Sequence, residues 1–267
     1  MHQTDDTSPD LTDLTLRPLQ ISLLNKLHKN YGLTGKTILE IGSDLGLRVA
    51  QGMLRYGAKE VWAINPAFSQ SPPPHVPGII TQAQPMEHAE LPPGAFDVVF
   101  GMALLEHILY PAKLAEACKA VLSPNGVCYL QGSPTWTGAQ GHHVFITGSV
   151  PRKSKFSFTD DSTPFENWEH LSITNGQELL LSLKKNGIPD SLFNTLRDAL
   201  FFDTTISRLP PSRIIQEFSQ VDGVKIDTYC YKPDIPKNQY YEKAKRLYKE
   251  DDLISNDVTI IMRHDHE

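Results

Sequence analysis

The sequence of 267 residues is short of cysteine and has no long apolar run. Its three cysteines, Cys118, Cys128 and Cys230, are widely spaced, which excludes a disulfide framework and predicts reduced, buried thiols. The longest mostly apolar stretch, Phe96 to Leu105, is far too short to span a bilayer. Residues 1–15 are polar and acidic and lack the apolar run of a signal peptide. We therefore expect a cytoplasmic protein with no membrane partner.

Clustered positive charge is also lacking. The net charge at pH 7 is −6, and no segment of the chain is basic. Nucleic acids and anionic membranes attract proteins through clustered Lys and Arg side chains, so neither is expected as a partner. What is present is an ordinary globular composition, 40% hydrophobic and 21% charged, at the length of one large domain. The even spread of charge favours a small-molecule partner and predicts nothing about oligomeric state.

Between Lys36 and Gly132, short apolar runs alternate with helical patterns. The expected strands cover residues 35–42, 60–65, 78–83, 96–100 and 127–130, and the expected helices cover 16–31, 47–56 and 111–122, with a turn at 123–126. Strands separated by helices indicate βαβ units and a parallel sheet in an α/β fold. Farther along, we expect helices at 177–185, 191–200, 211–219 and 239–249, and strands at 224–231 and 257–263 that pair antiparallel at the sheet edge.

The segment most typical of a ligand site is Ile38–Gly46, with the sequence ILEIGSDLG. A buried strand reaches Glu40 near its carboxyl end and then turns through glycine into a helix. Gly42 and Gly46 allow the backbone to approach a ligand closely. This edge of an open parallel sheet is where ligands bind.

A second segment, Leu91–His107, reads LPPGAFDVVFGMALLEH and leads into the helix that ends at the turn Ser123–Gly126. Together with Ile38–Gly46, it resembles the motifs of class I S-adenosylmethionine (SAM)-dependent methyltransferases, with matching spacing over about 95 residues. The resemblance implies a Rossmann-like fold: a mostly parallel seven-stranded sheet with helices on both faces and an inserted helical lid. It also implies SAM as the cofactor and methyl transfer as the reaction.

The resemblance divides the chain into four parts. They are an N-terminal arm and helix (1–35), the SAM-binding half (36–133), a lid or substrate insertion (134–209), and a segment that completes the sheet (210–267).

By the same resemblance, the cofactor would contact eleven residues: Glu40, Gly42, Ser43, Asp44, Gly46, Asn65, Pro66, Met86, Glu87, Met102 and His107. Two of them depart from the family pattern. Asp44 stands where a glycine is usual, and Asn65 stands where an acidic residue would pair with the ribose hydroxyls. An amide can still bind two hydroxyls, although without charge assistance. Met102 and His107 can equally be residues of the core.

The insertion after the fifth strand supplies the candidates for chemistry. Methyl transfer needs an aligned nucleophile and often a group that takes its proton, a role that histidine suits. The expected catalytic residues are His143, His170 and Asp203, and the expected substrate-binding residues are His142, Trp168, Glu169 and Arg208. The alternative is that these histidines only hydrogen-bond the lid to itself and that Trp168 is a core anchor.

The expected acceptor is an oxygen or nitrogen of a small molecule of natural-product or sugar-like type. Two alternatives stay open: an enzyme that cyclises SAM and releases methylthioadenosine, and a binding protein of the same fold without activity. No metal is expected, because adjacent histidines on an extended chain point in different directions and no HExxH spacing occurs.

Overall fold

The computed structural model describes residues 9–147, 150–153 and 163–265. Residues 1–8 of the expected polar terminus and His266 of the C-terminal tail lie outside the described residues. The helices are α1 (Pro18–Tyr31), α2 (Arg48–Arg55), α3 (Pro111–Val121), α4 (Gly176–Lys185), α5 (Phe193–Arg197), α6 (Pro211–Ser219), α7 (Gln239–Ala244) and α8 (Glu250–Ile254). The strands are β1 (Thr37–Ile41), β2 (Glu60–Ile64), β3 (Ile79–Gln82), β4 (Phe96–Gly101), β5 (Leu122–Gly132), β6 (Val144–Thr147), β7 (Val150–Lys153), β8 (Val224–Tyr231) and β9 (Asp257–His264).

Seven of these strands form one sheet in the order β3-β2-β1-β4-β5-β9-β8. The first five strands pair in parallel, whereas β9 is antiparallel to both β5 and β8. This confirms the expected seven-stranded, mostly parallel sheet and the antiparallel pairing of the last two strands. The strand order reverses between β1 and β4, and such a switch point opens a crevice at the carboxyl ends of the strands.

Three expectations about local structure are wrong. The helix expected over 239–249 ends at Ala244, and α8 begins separately at Glu250, where three acidic residues complement the positive end of the new helix. The turn expected at 123–126 lies inside β5, as a bulge between the pairs that Phe96 and Val98 make. The expected helix over 191–200 breaks into a 3₁₀ turn, α5 and a π turn.

Apolar residues alternate along the strands and form a core on each face of the sheet. On one face, α1 and α2 pack Leu24, Leu27 and Met53 against the sheet. On the other face, α3 and α6 contribute Leu114 and Phe218. Buried apolar surface holds both layers of helices against the sheet. The carboxyl ends of the strands, where the crevice opens, are therefore held in place.

The lid has a small apolar core of its own. Trp168, Leu179 and Leu183 from the lid pack with Tyr241 and Leu253, which belong to α7 and α8. Residues 239–254 are therefore packed with the lid, in addition to leading into β9. A two-stranded antiparallel sheet, β6 with β7, also belongs to the lid and has no counterpart among the predicted elements.

Within the described residues, no helix is both long enough and apolar enough to cross a membrane. Cys118 and Cys128 are buried, Cys230 is half-buried, and all three are free thiols, as their spacing predicts.

Candidate functional site

The glycine turn after β1 is tied to the end of β2. The N–H groups of Gly42 and Ser43 both donate to the carbonyl of Ile64, at 2.8 and 3.3 Å. The amide of Asn65 donates to the carbonyl of Ser43 at 2.8 Å, and its oxygen accepts from the N–H of Ala67 at 2.8 Å. Gly42 has a φ of +76°, a conformation that side chains disfavour. Asn65 thus holds the turn in place in addition to facing the crevice.

Glu40 lies in β1 just before this turn, and Asp44 lies within the turn. Glu40 is buried, and burial raises its pKa to about 8, although the nearby Ser43 side chain lowers it. The carboxylate of Asp44 accepts the backbone N–H groups of Gly46 (2.9 Å) and Arg48 (3.1 Å) and pairs with the Arg48 side chain at 3.0 Å. The aspartate in the usual glycine position therefore accepts the first backbone N–H of α2.

A first cavity of about 620 Å³ opens where the strand order reverses. Six of the predicted cofactor residues line it: Gly42, Asn65, Pro66, Met86, Glu87 and His107. Four others are not part of its wall: Glu40, which lies in β1, and Ser43, Asp44 and Gly46, which lie in the turn that follows. The backbone of the turn, rather than its polar side chains, is what faces this cavity.

A second cavity of about 520 Å³ adjoins the first. Met102, predicted to contact the cofactor, lies in its wall. Ala103 lines both cavities and has a φ of +50°, in the left-handed region that few residues other than glycine adopt. Strained backbone of this kind is often found at functional sites. The two cavities therefore meet at the loop that follows β4.

The second cavity is built from distant parts of the chain. Its wall comes from the arm before α1, the ends of β4, β5 and β8, the lid, and the start of β9: Arg17, Leu19, Met102, Ala103, Gln131, Ser133, Ala139, Gln140, Asn167, Tyr231, Pro233, Ile235, Asn256 and Asp257. Most of these residues were missed by the sequence reasoning. The signal that could have found Asp257 is the antiparallel pairing itself, because β9 begins at the edge where the parallel strands end.

The lid histidines lie outside the walls of both cavities. His142 and His170 are buried, with ring centroids 5.2 Å apart. His170 donates from Nε2 to the carbonyl of Trp136 at 2.8 Å, since a carbonyl can only accept. Burial lowers the pKa of His170 to about 4 and the pKa of His142 well below its usual value. Both rings are therefore neutral at neutral pH.

His143 is the lid histidine that reaches toward the first cavity. Its ring lies 5.9 Å from the ring of His107, which lines that cavity. Its Nε2 donates to the carbonyl of Pro134 at 2.7 Å, and burial lowers its pKa to about 4. The Nδ1 of His107 contacts the carbonyl of Thr205 at 2.6 Å. The catalytic roles of His143 and His170 stay predictions.

Trp168 and Glu169 lie within the lid core. Trp168 is 1% exposed and donates its indole N–H to the carbonyl of Leu253 at 2.9 Å. Burial raises the pKa of Glu169, but hydrogen bonds outweigh this effect and lower it: the carboxylate accepts from the backbone N–H of Glu166 (2.9 Å) and from the side chains of Asn186 (2.9 Å), Tyr240 (2.8 Å) and Ser182 (3.0 Å). Neither residue lines a cavity. The structure places them as anchors of the lid, and a contact with substrate stays a prediction.

The side chains of Asp203 and Arg208 hydrogen-bond to neighbouring residues at the end of the lid. The carboxylate of Asp203 accepts from the N–H and hydroxyl of Thr205, at 2.8 and 2.6 Å. The guanidinium of Arg208 donates to the carbonyls of Asp203 and Leu200 and lies 5.1 Å from the ring centroid of Trp136. Neither side chain lines either cavity.

Comparison with known proteins identifies the class that this fold and crevice define. A family model described as "Methyltransferase domain" matches residues 16–187. The chain therefore belongs to this family, which confirms the resemblance and the predicted class of enzyme.

Relatives of known name are similar in sequence to part of this chain. A ubiquinone biosynthesis O-methyltransferase of Sodalis glossinidius is 31% identical over 147 residues, which cover 51% of this chain and 58% of the relative. One of Paraburkholderia xenovorans is 32% identical over 133 residues, which cover 42% of this chain and 49% of the relative. The chain thus spans about half the length of the curated relatives that it matches.

A solved structure of an S-adenosylmethionine-dependent methyltransferase from Mesorhizobium loti shares the fold. Its TM-score is 0.52 at 13% identity, with 92% of this chain and 97% of that chain covered. The Rossmann-like methyltransferase fold is thereby confirmed. SAM, the predicted cofactor, is confirmed as that of the protein class to which the chain belongs.

Proposed function

We propose that the chain binds SAM in the first cavity and methylates a hydroxyl oxygen of a small molecule held in the second. The observation that carries this proposal is the meeting of the two cavities at Ala103. A donor in one cavity and an acceptor in the other would face each other there, as in-line displacement requires. The relatives named O-methyltransferases support oxygen as the atom methylated.

The residues present fit the cofactor. A cavity of about 620 Å³ is within the size range of cofactor sites, and it lies at the switch point of the sheet. The turn at Gly42 would support the amino-acid part, Asn65 and Glu87 offer polar atoms for hydroxyls, and Met86 offers an apolar, polarisable wall for a base. When bound, SAM supplies a sulfonium methyl group that an oxygen nucleophile can displace.

Gly42→Ala tests the first half of this proposal. A methyl group at this position would stand at the cavity wall on backbone with a φ of +76°, so we expect the turn to shift and the affinity for S-adenosylhomocysteine (SAH), measured by calorimetry, to fall at least about tenfold. Gly187→Ala is the matched control, because Gly187 has a φ of +68°, has open space around it and lines neither cavity. Equal SAH affinity of Gly42→Ala and the wild type would contradict the placement of the cofactor.

Mass spectrometry of the products tests the second half. The wild-type protein is incubated with SAM and a panel of phenols, amines and sugars, and a product heavier by one methylene group is expected only from hydroxyl-bearing members. Methylthioadenosine formed without any acceptor would instead support SAM cyclisation. Absence of binding to both SAM and SAH would refute the whole proposal.

A further inference from the structure

The start of β9 brings a carboxylate to the ligand edge of the sheet. Because β9 runs antiparallel to β5, Val258 pairs with Gly132 at the end of β5, and Asp257 lies one residue beyond. Tyr231, the last residue of β8, pairs with Asp257 on the other side. Asp257 therefore stands at the same edge as the carboxyl ends of the parallel strands, and its half-buried side chain lines the second cavity.

This carboxylate is held by its neighbours. The backbone N–H of Tyr231 donates to Oδ1 of Asp257 at 3.0 Å, and the side chain of Gln131, which lines the same cavity, lies close enough to lower the pKa of the carboxyl group. Gln131 is itself 7% exposed, so its amide is fixed by packing. A carboxylate has sites for about four hydrogen bonds, which leaves capacity for a donor that enters from the cavity.

The charges around Asp257 come from α1 and from the arm before it. Burial is the largest influence on the pKa of Asp257 and raises it above the usual value, although the N–H of Tyr231, the nearby Gln131 side chain and Lys26 of α1 each lower it. Arg17 lines the same cavity and is exposed to solvent. The result is a carboxylate that is more basic than one in water.

The rest of the cavity indicates what kind of molecule would meet this carboxylate. Leu19, Met102, Ala139 and Ile235 give it apolar walls, while polar groups of β5 and of the segment leading into β9 stand beside Asp257. An apolar body with one or two hydroxyl groups matches this distribution. A phenolic hydroxyl, with a pKa near 10, gives up its proton to a carboxylate far more readily than an aliphatic alcohol does.

We propose that Asp257 is the general base for methyl transfer to a phenolic hydroxyl in the second cavity, an inference that rests on the proposed function. The hydroxyl proton passes to the Asp257 carboxylate while the phenol oxygen forms a bond to the methyl carbon. The bond from this carbon to sulfur breaks, and its electron pair stays on sulfur, so that the products are an aryl methyl ether and SAH. The N–H of Tyr231 positions the base.

Asp257→Asn tests this role, with catechol as the probe acceptor. The amide keeps the shape but cannot take the proton, so we expect kcat for catechol methylation to fall about 100-fold or more, while SAH affinity stays within about twofold of the wild type. Asp234→Asn is the matched control, since it removes the same charge from an exposed residue that does not line the cavity, and its kcat is expected to equal that of the wild type. In the wild type, kcat/KM is expected to rise with pH as Asp257 loses its proton, and Asp257→Asn is expected to lack this rise.

A second comparison separates this base from the lid histidines. A wild-type kcat in Asp257→Asn, together with a large loss in His143→Gln, would overturn the assignment to Asp257. Wild-type protein that binds SAH but does not methylate catechol would overturn the phenolic acceptor and leave the cofactor site standing. Protein that binds neither SAM nor SAH would instead refute the proposed function itself.

Discussion

Glu106→Gln tests the cost of burying a carboxyl group beside the two cavities. Glu106 lies in the turn after β4 and is 1% exposed, and burial raises its pKa from 4.5 to about 8 although nearby backbone N–H groups lower it. Between these two pH values the folded protein keeps a proton that the unfolded chain has lost. The stabilising contribution is therefore complete below pH 4.5 and is lost as the pH rises to 8. From pH 5 to pH 7.5, linkage gives a loss of about 3 kcal/mol from this one group.

The assay is urea unfolding, followed by circular dichroism, at several pH values between 5 and 7.5. Glutamine does not titrate, so the free energy of unfolding of Glu106→Gln is expected to fall by about 3 kcal/mol less than that of the wild type over this pH range. This difference in slope does not depend on whether the variant is more or less stable than the wild type at every pH. Glu116→Gln, which changes an exposed carboxyl group on α3, is the matched control, and its curve is expected to run parallel to that of the wild type. Parallel curves for Glu106→Gln and the wild type would refute the assigned proton on Glu106.

Three further substitutions test the frame of the site. Gly132→Ala would place Cβ 2.8 Å from a backbone nitrogen of the turn after β4. We therefore expect the free energy of unfolding, measured by urea titration, to fall by about 1–3 kcal/mol. An unchanged free energy of unfolding would mean that this turn can move. Trp168→Phe leaves the buried carbonyl of Leu253 without its donor. We expect the free energy of unfolding to fall by about 1–3 kcal/mol and the melting temperature to fall with it, while SAH affinity is unchanged. Weaker SAH binding would place Trp168 near the cofactor. Asn65→Ala removes the bond to the carbonyl of Ser43, and calorimetry should show SAH affinity about tenfold lower, whereas unchanged affinity would make this brace dispensable.

The sheet could be predicted because local pattern and tertiary environment agree there. Apolar runs such as Thr37–Ile41 are buried on both faces, so the same residues mark both the strand and the core. The helix expected over 239–249 was wrong because its charged residues are helix formers without a continuous apolar stripe. Packing against the lid stops α7 after Ala244, and an acidic first turn starts α8 anew.

The first cavity was likewise accessible from sequence, since Gly42 and Asn65 follow their strands directly and both line it. The residues that line the second cavity could not be predicted in this way. Its wall joins residues as distant as Arg17 and Asp257, and the predicted lid residues His170 and Trp168 turn out to be buried around other parts of the lid. Residue type shows what a side chain can do, but only packing decides whether it faces a cavity.

By itself, then, the sequence determined the parallel sheet, the glycine turn at the switch point and the class of protein, because each depends on residues within one short segment. The tertiary structure alone decided which residues line the second cavity. Asp257 reaches the ligand edge only because β9 runs antiparallel beside β5, a pairing across more than a hundred residues of chain that no local pattern encodes.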